Sequence, residues 1–193
     1  HNLKDIIKLV KDIREYNQDV GIVLMGYIAN LYKYPIINFV DDIKFAGADA
    51  VLVVDAPHEL KEENQLREAL NNNGLSLIKL AAPTTDDNRL KDIINIASGF
   101  LYQVNVSGVT GDKSADETDV ANFVKRIKSL TNIPVCSGFG IKSPKDAKKM
   151  ANSGCNGVIV GSTFVKYIQD NLNAPELTKS FGIQVKSFSE VLK

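Results

Sequence analysis

Residues 133–144 read IPVCSGFGIKSP and hold one full repeat of the pattern that decides the fold. Ile133 and Val135 open an apolar run with the composition of a short strand. Gly138 and Gly140 then bracket the one large side chain of Phe139. Ser143 is a natural helix N-cap and Pro144 a natural first helical residue. The stretch therefore predicts a strand, a glycine turn and an immediate helix. VIVGSTFV, residues 158–165, repeats the order one step later.

Outward from this stretch, six apolar runs read as strands: 21–27 (GIVLMGY), 50–56 (AVLVVDA), 75–81 (LSLIKLA), 100–106 (FLYQVNV), 133–138 (IPVCSG) and 157–161 (GVIVG). Most are nearly continuous in hydrophobicity, as expected of parallel strands covered on both faces. Segments with helical spacing separate them, for example Ile36, Ile37, Val40, Ile43 and Ala46, or Val120, Phe123, Val124, Ile127 and Leu130. Gly47, Gly74, Gly99 and Gly154 stand where helices should stop. The result is a βα unit repeated six times, an α/β chain with a parallel sheet or barrel. An amphipathic helix over 2–16 precedes the first strand, and a last helix is predicted over 175–193. A closed (βα)8 barrel takes eight strands and about 250 residues. Six strands imply either an open sheet or a single barrel domain, 1–193, without its first two strands.

Composition narrows the function. The chain has 193 residues, 44% of them hydrophobic, enough for a sizeable core. Its 23 basic residues balance 23 acidic ones, so no net field draws nucleic acid or an anionic membrane. Cys136 and Cys155 lack metal-ligand spacing and read as buried free thiols in a reducing compartment. No run reaches the roughly 18 apolar residues of a membrane span and no secretory core opens the chain, so a cytoplasmic protein is expected.

The glycine turns carry the candidate chemistry. A helix N-terminus presents backbone N–H groups with partial positive charge behind them. Two such turns on consecutive parallel strands, at Gly140 and at Gly161-Ser162, can hold a phosphate without lysine or arginine. VSGVTGDKSADETD (106–119) is a long polar loop of the kind that forms active-site lids, with Thr110 and Gly111 able to reach the same anion. Asp55 ends an apolar run and fits two roles, a general base at a strand end or a helix cap ahead of Pro57. His58 reads as a surface residue, and Tyr102 as a pocket or core phenol.

IVLMGY (22–27), VLVVDAP (51–57), LAAPTT (80–85), SGVTG (107–111), GFGIKSP (138–144) and VGSTFVK (160–166) occur in an order and spacing that resembles the tryptophan synthase alpha chain family, over essentially the whole chain. The resemblance implies a (βα)8 TIM-barrel fold, here strands three to eight with their helices. It also implies retro-aldol cleavage of indole-3-glycerol phosphate to indole and glyceraldehyde 3-phosphate. Gly111, Gly140, Gly161 and Ser162 would hold the substrate phosphate. Leu24, Leu52, Tyr102, Thr110 and Phe139 would line the pocket, with Thr110 on the mobile lid. Asn30 and Pro57 would lie near a beta-subunit interface in an alpha2beta2 complex. No metal or cofactor is expected, since pyridoxal phosphate belongs to the beta subunit. The family's acid/base glutamate and aspartate correspond to positions before the helix 2–16, so no catalytic residue is assigned and these 193 residues alone are expected to be inactive. The alternatives are another phosphate-binding barrel enzyme, or a catalytically incomplete module acting only through the beta subunit.

Overall fold

A computed structural model describes residues 2–32, 34–57, 59–104, 117–138 and 140–192. Strand order follows chain order. By contact density the chain divides into two compact units. One is His1–Leu80 with Asn88–Leu101, and the other Ala81–Asp87 with Tyr102–Lys193.

In the first unit, α1 (Leu3–Tyr16) leads into β1 (Val23–Gly26), α2 (Ile36–Ala46), β2 (Ala50–Val53), α3 (Lys61–Asn72) and β3 (Ser76–Ala81), with α4 (Asp87–Ile96) after it. Asn2 and Asp5 form a capping box that starts α1. β1 and β2 are parallel with Leu24 opposite Val51 and Met25 opposite Leu52, and β2 is parallel to β3 with Ala50 opposite Ser76. Val40, Ile43, Leu66 and Leu70 are fully buried and pack with Val51 and Leu77 into the core. Every residue of β2 is buried, as its continuous apolar run predicts. β1 departs from that expectation: its residues alternate between exposed and half-buried. It has β2 as its neighbour in the strand order and no strand beyond it among the described residues, and Val23 and Met25 on one of its faces are exposed.

Arg14 pins α1 to this core. Its guanidinium donates to the Gly47 carbonyl (Nη2, 2.6 Å), the Val20 carbonyl (Nη1, 2.9 Å) and Asp49 Oδ2 (Nη2, 2.9 Å). Asp49 Oδ2 also accepts the Ile22 N–H at 2.7 Å, which fixes the approach to β1. Gly47 ends α2 at φ +95°, and a Cβ there would stand 2.8 Å from Arg14 Cγ, so a side chain is excluded twice over.

In the second unit, β4 (Leu101–Gln103) is followed by α5 (Glu117–Lys128), β5 (Val135–Ser137), α6 (Pro144–Asn152), β6 (Gly157–Val158), α7 (Ser162–Asp170) and α8 (Leu177–Glu190). β5 and β6 are parallel, Cys136 opposite Gly157. Ile141, Ala147 and Phe188 form a small core joined by Phe164, Val158 and Val160. Phe164 meets Phe181 and Phe188 edge-on, at 5.5 and 5.1 Å between centroids. All six predicted strands and both terminal helices are present, each strand shorter than its apolar run because the ends turn toward loops.

Candidate functional site

The turn after β5 answers why two glycines bracket residue 139. Gly138 is there for space: a Cβ would lie 2.6 Å from Ile159 Cβ, 2.7 Å from the Ile159 carbonyl and 3.1 Å from the Tyr102 hydroxyl. Gly140 is there for conformation, at φ +64° with open space where a Cβ would go. The predicted helix start follows. Ser143 caps α6, its Oγ accepting the Asp146 N–H at 3.3 Å and donating to Asp146 Oδ2 at 2.8 Å. Asp146 also accepts the Lys142 N–H at 3.1 Å. The Ser143 hydroxyl is the main cause that holds the Asp146 carboxyl below its usual value; burial opposes it, and the neighbouring amides and Lys149 add smaller contributions in the same direction as Ser143.

Gly161 precedes α7, with open space around its missing Cβ, and Ser162 is the exposed first residue of that helix. Thr163 Oγ1 donates a short hydrogen bond to the Ile141 carbonyl, tying the start of α7 to the residue after Gly140. The two glycine turns are thus held side by side. Tyr102 reaches the same place from β4: its hydroxyl donates to the Gly138 carbonyl at 3.3 Å, and burial pushes the phenol above its usual range. On the opposite face of β4, Gln103 is buried and accepts the Ser137 hydroxyl at 2.6 Å. What this arrangement can do is receive an anion at helix N-termini beside a neutral phenol. Gly111, Thr110, Phe139 and His58 lie outside the described residues.

In the first unit, Leu24 and Leu52 both border a cavity of about 750 Å³ that also touches Met25, Asn30, Tyr34 and Phe39. The register separates the two leucines, however. Leu24 stands opposite Val51 and packs against the core, whereas Leu52 stands opposite Met25. Paired residues share a face and successive residues alternate. Leu24 and Leu52 therefore point to opposite faces, and Met25, 62% exposed, is the residue that accompanies Leu52. Met25, which the sequence reading does not name, borders the same cavity as the two leucines.

Asp55 follows β2 and is exposed, and its carboxylate is already engaged: Oδ1 accepts the Ile28 N–H at 2.7 Å. It caps a 3-10 turn, Ile28–Asn30, and not α3, whose N-cap is Leu60. Asn30 and Pro57 are both exposed; Asn30 Oδ1 accepts the Tyr27 N–H at 2.9 Å. Among the described residues there is no group of His, Cys, Asp and Glu placed to hold a metal ion, and no helix is long and apolar enough to cross a membrane.

Comparison with known proteins assigns the family. The tryptophan synthase alpha chain family model matches residues 1–191. A tryptophan synthase alpha chain from Desulfatibacillum aliphaticivorans is 37% identical over 192 residues, covering 100% of this chain and 69% of that protein. The crystal structure of tryptophan synthase subunit alpha from Legionella pneumophila superposes with a TM-score of 0.87 at 27% identity, over 98% of this chain and 69% of that one. The alpha subunit from the hyperthermophile Pyrococcus furiosus gives 0.84 at 30% identity, over 98% and 74%. With its α/β fold of the TIM-barrel type and its glycine turns in place, the chain belongs to the tryptophan synthase alpha chain family and has the alpha-subunit role in tryptophan biosynthesis.

Proposed function

We propose that Gly140, Gly161 and Ser162 hold the phosphate of indole-3-glycerol phosphate, with Gly111 of the 106–119 loop as a further donor. The observation that carries this reading is the Thr163–Ile141 hydrogen bond, which joins two glycine turns at the start of a nine-residue helix. Backbone N–H groups there suit a phosphate dianion. Tyr102 and Phe139 are the pocket residues of this proposal beside the cradle, with Thr110 on its lid; in the first unit Leu24, Leu52 and Met25 border the cavity described above.

The lyase chemistry of the family is a retro-aldol cleavage. The bond between the indole ring and the glycerol carbon breaks, a proton is delivered to the ring carbon, and the glycerol hydroxyl loses its proton as the aldehyde forms. Binding a phosphate orients this substrate without moving either proton. Asp55, the one acid the sequence puts at a strand end, is bound to the Ile28 amide. These 193 residues alone are therefore proposed to bind substrate and not to turn it over; normal turnover by the purified chain would overturn that. The proposed partner is the pyridoxal-phosphate beta subunit, met through the loops of Asn30 and Pro57. No cofactor is assigned to this chain.

Gly161→Asp tests the cradle. The position is open and at negative φ, so the substitution adds a carboxylate without a contact to displace anything. Calorimetry with indole-propanol phosphate should show binding to the parent protein and a loss of roughly a hundredfold or more in the variant, the scale of a like-charge contact of about 3 kcal/mol at an anion site. Unchanged affinity would remove the phosphate from this turn.

A further inference from the structure

Lys79 interrupts an apolar face. On β3, residues 77, 79 and 81 share one side, and Leu77 and Ala81 are buried there. Lys79 is 6% exposed, and its ammonium makes a short ion pair with Glu63, which is 0% exposed, on α3. It also donates to the Ala56 carbonyl at 3.1 Å. Glu63 is the third residue of α3, where a capping-box glutamate would turn back to the helix start; it points into the core instead, and Leu60 caps α3 without any side-chain bond. Glu63 Oε2 has no hydrogen-bond partner among the described residues. A buried ion pair is a poor source of stability compared with apolar residues of similar volume. Its value here has to lie in what it holds.

It holds a loop. Ala56 lies in the segment between β2 and α3, residues 54–60, and the preceding residue, Asp55, holds the Ile28 N–H of the neighbouring 3-10 turn. One continuous set of bonds therefore runs from Glu63 through Lys79 and Ala56–Asp55 to Ile28, in the order of core, first loop and second loop.

We propose that the buried Lys79–Glu63 pair positions the two loops that carry Pro57 and Asn30, so that they present one fixed surface to the beta subunit. Lys79 and Glu63 are positioning residues that do not themselves touch the partner. The proposal rests on the assignment of those loops to the beta-subunit interface.

The test replaces the pair without orphaning a charge, as Lys79→Met/Glu63→Leu. Thermal unfolding should stay within a few degrees of the parent. Amide exchange at Ile28, Val54 and Leu60, whose N–H groups are bonded in these loops, should accelerate at least about tenfold while Ile43 and Leu70 stay protected, and the beta subunit should bind roughly tenfold more weakly. Parent-like exchange in both loops overturns the positioning role. Pro57→Asp separates the two readings. If it weakens the complex while the double variant binds normally, the inference fails alone; if it leaves the complex intact, the interface assignment fails, and loop exchange still decides whether the pair positions the loops. Should the double variant not fold, the parent protein decides: the Ile28, Val54 and Leu60 amides should share one opening free energy, and clearly different values would overturn the coupling.

Discussion

The two units offer examples of two different devices for holding the loops beside their strands. In the first, long charged side chains are drawn inward: Arg14 gathers the carbonyls of Gly47 and Val20, and Lys79 gathers Glu63 and Ala56. In the second, side chains are removed. Gly138 lets Ile159 and Tyr102 close in, and Gly157 lies where a Cβ would stand 2.8 Å from Cys136 Sγ. The contrast follows from what each loop must offer. A backbone cradle for an anion needs its N–H groups bare, so close packing of main chain is the available support. A loop that presents side chains outward can be braced from beneath by a charged strut. The first device fails by leaving charges unpaired, the second by overcrowding, and the two failures differ in size.

The largest effect is expected from breaking the strut on one side. Lys79→Met leaves the Glu63 carboxylate, 0% exposed, without its counter-ion. The cost should be about 3–5 kcal/mol. Urea denaturation measures it, and a single variant no less stable than the Lys79→Met/Glu63→Leu double would show that the pair carries no buried charge penalty.

Crowding the second unit should cost less, and two glycines two residues apart separate its causes. Gly138→Ala forces a methyl against Ile159 Cβ and its carbonyl, at 2.6 and 2.7 Å before relaxation. A loss of about 1–3 kcal/mol is expected, as for other overpacked sites. Because the Tyr102 hydroxyl is also displaced, ligand affinity should fall with stability. Gly140→Ala meets no neighbour and suffers only the left-handed backbone, about 1 kcal/mol. Equal losses in the two variants, read from denaturation midpoints, would mean that space and conformation are not distinct requirements here.

These residues also mark what a sequence can convey. The strands were legible because both-face burial writes itself as unbroken apolar runs, and the Ser143-Pro144 helix start because capping is local chemistry. Gly140 and Gly161 stood out as glycines, but nothing local distinguished the need for space at Gly138 from the need for positive φ at Gly140. The exposure of β1 was hidden because its residues are as apolar as those of β2; only neighbours decide coverage. Telling which of Leu24 and Met25 shares a face with Leu52 needed the register with β2, which spans 27 positions of sequence. Lys79 offered a signal, a charge inside LSLIKLA, yet its partner lies sixteen residues earlier on a helix rich in other acids. Pairings between distant elements are what local pattern leaves out.

The smallest effect tests the local chemistry of the α6 start. Asp146 is held below its ordinary value of 3.8, first by the Ser143 hydroxyl. The folded carboxyl thus gives up its proton at lower pH than the unfolded one, and between the two values the unfolded state binds more protons. Stability from this group is complete above the ordinary carboxylate value and is lost as pH falls through the lower, folded value. Asp146→Asn should remove that part of the acid sensitivity while Ser143 continues to cap the helix. Denaturation midpoints followed from pH 6 down to about pH 2.5 should therefore fall more steeply for the parent than for the variant, converging at the acid end. The same slope in both proteins would show that Ser143 caps α6 without any coupling to the charge of Asp146, and would leave the second unit supported at this turn by backbone geometry and neutral hydrogen bonds alone.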